Sequence, residues 1–155
     1  MDYRFPLALL MLCILSIVVF QACKTPTYTL DALPDEQLRF GSGGGFAGTS
    51  TEHLLLANGQ YFQKPQQSRQ MSYVGTIDKS TAKSYLKRAE ALGLDTMNFN
   101  HPGNMYYYLQ TGADEATRVT WGDINFETNA EVVALYKELI KEVSKVQRES
   151  PAAGK

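Results

Sequence analysis

Hydrophobic and polar positions change period several times along this chain, and each change marks an element. From Leu7 to Phe20 the residues form an apolar run broken only by Ser16. Lys24 to Pro34, with Pro26, Pro34 and three threonines, has no apolar period and reads as an extended tether. Gln37 to Phe40 has strand character and leads into a glycine-rich stretch. Thr49 to Ala57 and Tyr61-Phe62 are joined by Asn58-Gly59, the strongest short signal for a hairpin. Gln70 to Thr76 alternates and suits a further strand. Ala82, Tyr85, Leu86, Ala89 and Leu92 recur at steps of three and four, predicting a helix capped by Asp78 or Ser80. Gly93 is its expected left-handed stop, with Leu94 as the hydrophobic residue beyond.

Asn98 to Asn104 is a loop, with Pro102-Gly103 suited to the centre of a type II turn. Met105 to Gln110 and Ala116 to Trp121 read as a second hairpin around Gly112 to Glu115. Alternation puts Met105, Tyr107, Leu109, Val119 and Trp121 on the core face. Tyr106 and Tyr108 are left on the other face beside Arg118. Thr128 to Glu131 is a capping box for a last helix, whose stripe is Val132, Leu135, Tyr136, Leu139, Val143 and Val146. The predicted order is β-β-β-α-β-β-α, an α+β fold. Two amphipathic helices cover one face of an antiparallel sheet of about five strands, giving a two-layer sandwich.

Size and charge narrow the functional classes. The 155 residues suffice for one domain with a real core. Fifteen basic residues against 16 acidic give a net charge of −1, without the basic face that nucleic acid requires. Nucleic-acid binding is therefore not expected.

The N-terminus carries the clearest pattern. A short start bearing Arg4, the apolar run and the small Ala22 ahead of Cys23 follow the plan of a signal peptide. The run is shorter than the roughly 20 residues of a spanning helix. Phe20-Gln-Ala-Cys23 resembles the lipobox of bacterial lipoproteins. The resemblance implies cleavage before Cys23 and acylation of its sulfur and new amine, and hence a membrane partner through a lipid anchor. Phe20 and Gln21 depart from the commoner leucine and small residue. Cleavage would leave one cysteine, Cys23, because Cys13 lies in the leader; no internal disulfide could then form. Lys24, in place of the aspartate that resembles an inner-membrane retention signal, points to the outer membrane, on its periplasmic or outer side. The expected division is a signal peptide over 1–22, a lipidated tether over 23–35, one α+β domain over 36–147 and a tail over 148–155.

The glycine stretch, Arg39 to Gly48, contains five glycines in ten residues. Gly43-Gly-Gly-Phe-Ala-Gly48 satisfies the dinucleotide fingerprint, but the helix that should follow would end at Asn58-Gly59, too short for a crossover. No Gly-Lys-Ser/Thr follows for a P-loop either. The expected role is a bulge or wide turn, with Phe40 and Phe46 covering the core edge. Successive amides at Gly43, Gly44, Gly45 and Gly48 offer a second reading, an anion or oxyanion cradle.

Candidate chemistry is sparse. His53 and His101 are too few soft ligands for zinc and are expected at the surface or as caps. Ser42, His53 and Asp123 could compose a hydrolase triad on paper, without a nucleophile elbow around Ser42. No metal and no cofactor are predicted. Tyr106, Tyr108 and Arg118 form the candidate binding face, since tyrosine and arginine are favoured where surfaces bind. An envelope protein or a small ligand is the expected partner. Phe40-Gly-Ser-Gly-Gly-Gly-Phe46, His101-Pro-Gly-Asn-Met-Tyr106 and Val119-Thr-Trp-Gly122 together resemble small envelope lipoproteins of a domain-of-unknown-function family. The resemblance covers about Leu38 to Val146 and implies a fold but no activity. The leading expectation is a non-catalytic binding or structural module, and the alternative is an envelope hydrolase using the Gly41–Gly48 turn.

Overall fold

The computed structural model describes residues 26–149 apart from 67, 69 and 98. The predicted signal peptide, Cys13, Cys23 and residues 150–155 of the predicted tail lie outside the described residues.

Six strands and two helices make up the domain: β1 (Gln37–Gly44), β2 (Thr49–Leu56), β3 (Gln60–Lys64), β4 (Ser72–Thr76), α1 (Lys79–Ala91), β5 (Met105–Thr111), β6 (Arg118–Trp121) and α2 (Ala130–Glu149). A 3-10 turn, Glu115–Thr117, joins β5 to β6. All strand pairings are antiparallel, and the order across the sheet is β4-β3-β2-β1-β5-β6. The α+β class therefore stands, with one strand more than expected and the order β-β-β-β-α-β-β-α. The extra strand is β1, which runs straight through the first glycines and lies at the centre of the sheet, between β2 and β5.

The register explains how a strand can carry Gly41 and Gly43 in its interior, where glycine ordinarily weakens it. Gly41 pairs with Tyr108 and Gly43 with Tyr106. A Cβ on Gly41 would overlap the Thr51 carbonyl oxygen and strike the Tyr108 ring, and one on Gly43 would strike the Tyr106 ring. The missing side chains leave two shallow seats across β1, and the tyrosines of β5 lie in them. Only after Gly43 does the chain turn, with Gly44, Gly45 and Gly48 all at positive φ. Phe46 sits at the tip of this turn, fully exposed. It does not cover the core edge as expected, because the strand carries it past the end of the core.

Both helices pack on one face. Leu38, Phe40, Leu55, Tyr61, Leu109, Val119 and Trp121 meet Ala82, Tyr85, Leu86 and Ala89 of α1 and the complete predicted stripe of α2. Each large aliphatic side chain buried there contributes roughly 1.5–3 kcal/mol. Asp78 caps α1, its Oδ1 accepting from the Thr81 amide at 2.9 Å. Gly93 and Leu94 close the helix in a Schellman arrangement, the Leu94 amide reaching the Ala89 carbonyl at 3.4 Å and its side chain fully buried. Asn129 rather than Thr128 caps α2, accepting from the Glu131 amide at 2.8 Å, because the helix begins at Ala130. Gly103 is not left-handed, so Pro102-Gly103 is no type II turn. Its glycine is needed for close passage against the Gly122 carbonyl.

The opposite face is divided. Leu54, Leu56 and Phe62 form a small apolar patch covered by Tyr28, Leu33 and Met71. Residues 26–35, read from the sequence as a free tether, thus lie against the sheet. Gln60 fastens them, accepting from the Tyr28 amide at 2.6 Å and donating to its carbonyl at 3.0 Å.

The two central glycines should respond differently to substitution. Gly41→Ala drives a methyl into backbone and should cost about 3 kcal/mol or more, at the upper end of overpacking costs. Gly43→Ala meets only the tip of a tyrosine that can swing outward, and should cost about 1 kcal/mol. Urea denaturation of the two variants measures the difference; equal losses would contradict the distinction between a backbone contact at Gly41 and a side-chain contact at Gly43.

Candidate functional site

The uncovered half of the open face is built on β1, β5 and β6. Strand alternation sends Tyr106, Tyr108 and Gln110 outward from β5, and Arg118 and Thr120 outward from β6. Tyr108 pairs with Thr120 and Gln110 with Arg118. The Arg118 guanidinium reaches diagonally over the Tyr108 ring, 4.4 Å from its centroid. Its Nε donates to Gln110 Oε1 at 2.9 Å, and one Nη lies 3.3 Å from Glu115. Beyond Tyr108, Arg39 donates to Glu52 at 2.9 Å across β1 and β2. Burial first, then the charge of Glu52, pushes the Tyr108 hydroxyl well above its usual titration range.

The three residues singled out from the sequence are therefore together, on the face where alternation put them. Their exposure differs from the expectation. Tyr108 is only 6% exposed, closed between its glycine seat and Arg118, so it supports the face and offers little surface itself. Tyr106 is half-buried, and among the described residues no ring or guanidinium stacks on it. Beside it runs a groove of about 510 Å³ lined by Asn100, Pro102, Tyr106, Glu115, Ala116, Arg118 and Thr120.

Alternation placed Thr120 beside Arg118, but Asn100, Pro102 and Glu115 escaped the sequence reading, because two belong to a loop and one to a turn. The loop is held by aromatic stacking, with His101 3.9 Å from Phe126 and nearly parallel to it. It is also held by backbone pairing, since Thr120 donates to the Phe99 carbonyl at 3.1 Å and His101 donates to the Thr120 carbonyl at 2.9 Å. These bonds cover part of the β6 edge and fix Asn100 and Pro102 at the groove rim.

The glycines placed in the candidate cradle have other work. Gly43 and Gly44 are strand residues within the β1 ladder. The Gly45 amide donates to Asn104 at 2.7 Å and the Gly48 amide to Gly45 at 3.0 Å. The turn is thus closed by one hydrogen bond of its own and tied to the loop ahead of β5 by another. Each member of the paper triad has a different partner. Ser42 hydrogen-bonds Tyr136, Asp123 accepts from the Asn125 amide, and His53 Nδ1 lies 2.8 Å from the Tyr61 hydroxyl.

His53 is a correction to the expectation of a surface or capping residue. It is 6% exposed, stacked on Phe40 at 5.0 Å, inside the helix-covered face. Periodicity could have found it, since His53 alternates with Leu55 on one side of β2. His101 is exposed, as expected. Among the described residues no group of three or more His, Cys, Asp or Glu could hold a metal ion. A second cleft, of about 340 Å³ and bordered by Asp35, Glu36, Glu90 and Asp95, opens beside the start of β1.

Burial lowers the His53 pKa to about 4, so the neutral ring belongs to the folded protein. The unfolded chain, with an ordinary imidazole near 6.5, binds more protons between those values. Stability from this group is therefore complete above about pH 6.5 and declines as pH falls toward 4, by about 3 kcal/mol. Denaturation midpoints of wild type and His53→Gln, compared from pH 7 to pH 4, should show a shallower acid loss in the variant. Parallel profiles would assign the acid sensitivity to other groups.

Among the described residues no helix is long and apolar enough to cross a membrane. Neither a family model nor a curated protein sequence matches this chain, so its functional reading rests on its own residues and on the geometry of the groove.

Proposed function

We propose that this chain is a lipid-anchored protein of the bacterial envelope, tied by Cys23 to the outer membrane, whose α+β domain is a non-catalytic binding module. The anchor is supported by the charged start, the short apolar run and Ala22-Cys23. Several acyl chains hold a protein stably where one alone would be marginal, at about 0.8 kcal/mol per buried methylene. The binding role is carried by one observation, the open groove beside Tyr106 and Arg118 on the face the helices leave bare. The residues a hydrolase would need each have another partner, and the Gly45 and Gly48 amides are already hydrogen-bonded. Both facts favour binding over chemistry.

The docking of residues 26–35 adds a consequence. The Pro26 carbonyl accepts from Asn58 at 2.7 Å, and three peptide steps from Cys23 reach at most about 11 Å. An anchored domain would stand close to the membrane, with the turn between β2 and β3 toward it.

Cys23→Ser should abolish incorporation of labelled fatty acid and release the protein from the membrane fraction. Continued labelling would overturn the anchor. For the binding role, the detergent-solubilised full chain should retain envelope material that a Tyr106→Ala/Arg118→Ala variant does not. Identical recovery by both would remove the groove from consideration.

A further inference from the structure

We infer that the groove binds a neutral saccharide, stacked on the outer face of Tyr106; this rests on the binding role proposed above and names its ligand class. The aromatic platform comes first. Tyr106 lies in the seat left by Gly43, with the hydroxyl end of its ring over β1. Its neighbour Tyr108 lies in the same way over Gly41 but has Arg118 across its outer face. Tyr106 has the same support and no such cover among the described residues. A ring backed by β1 at its hydroxyl end is partly ordered before binding, which lowers the entropy cost of stacking on it.

The charge of the groove selects the kind of group that would stack. Among the described residues that line it, the charged ones are Glu115 and Arg118, which face each other at 3.3 Å. They cancel, and Arg118 is further committed to Tyr108 and Gln110. An anionic or cationic ligand therefore finds no net attraction. The rest of the rim is amide, hydroxyl and proline, from Asn100, Thr120 and Pro102. A pyranose ring suits this combination. Its axial C–H bonds carry partial positive charge toward the negative aromatic face, while its equatorial hydroxyls point outward to hydrogen-bonding side chains.

An extended peptide is the competing ligand, and the local backbone opposes its usual mode. Peptides commonly add as a strand to a sheet edge. On β6 the Thr120 amide and carbonyl are already taken by Phe99 and His101. The parallel bridge from Asn100 to Thr120 occupies that position on the edge.

The probe is a set of neutral β-linked oligosaccharides, chitotetraose and cellotetraose among them, titrated calorimetrically into the detergent-solubilised full chain. Wild type should bind at least one of them. Tyr106→Phe keeps the ring and should stay within about threefold of wild type. Tyr106→Ala should bind at least about tenfold more weakly, consistent with the loss of one aromatic contact. Gly43→Ala, which tilts the ring without removing it, should weaken binding by a similar factor while circular dichroism remains that of wild type. Failure of every oligosaccharide to bind wild type would overturn the inference. Equal binding by wild type and Tyr106→Ala would overturn it as well. If the sugars fail while envelope material is still held in a groove-dependent way, the binding role stands and only the saccharide assignment falls. Retention of a protein-only fraction would identify the peptide instead.

Discussion

A sheet with helices on one side only has a second face that must be satisfied by something else, and this constraint shapes most of the molecule. Here that face is shared between two solutions. On β2 and β3, Leu54, Leu56 and Phe62 are covered by the chain's own N-terminal segment through Tyr28 and Leu33, with Met71 beside them. On β1, β5 and β6, tyrosines seated over glycines and a stacked arginine make a surface that tolerates water while still burying strand backbone. The first half is closed by apolar burial and the second is left partly open.

Strand β1 makes both arrangements compatible. Its Leu38 and Phe40 are fully buried beneath the helices, while its Gly41 and Gly43 remove side chains from the other face. Glycine in a central strand ordinarily costs stability. In this protein the lost packing is replaced by aromatic rings from β5 laid across the gap. That replacement ties two neighbouring strands by more than their backbone ladder. It also explains why Tyr108 is almost completely buried on a face that has no helix.

The buried polar groups point in the same direction. His53, Tyr61, Gln63 and Gln147 form a chain of contacts between the sheet and the end of α2, with Gln147 donating to Gln63 at 2.7 Å. Such a network fixes packing when its members are satisfied. Arg88 and Glu138 join α1 to α2 through two hydrogen bonds of 2.5 and 3.2 Å. Exposed as it is, that pair adds little beyond orientation. His53 and Arg88 thus serve architecture in the described residues.

Much of this was legible in the sequence. The stripes of both helices, the Asp78 cap, the Gly93-Leu94 stop and the Asn58-Gly59 hairpin are local signals, written in residues close enough to interact within one element. Alternation also placed Tyr106, Tyr108 and Arg118 on one face, because a strand's period of two needs no knowledge of its neighbours. Other features depended on pairing across the sheet. Only the register of β5 against β1 turned glycines that read as a turn into a strand with tyrosines seated on it. Asn100 and Thr120 came together through contacts that no spacing along the chain encodes. Local periodicity is determined by neighbours within a few residues; a seat or a groove is determined by whichever distant strand arrives beside it.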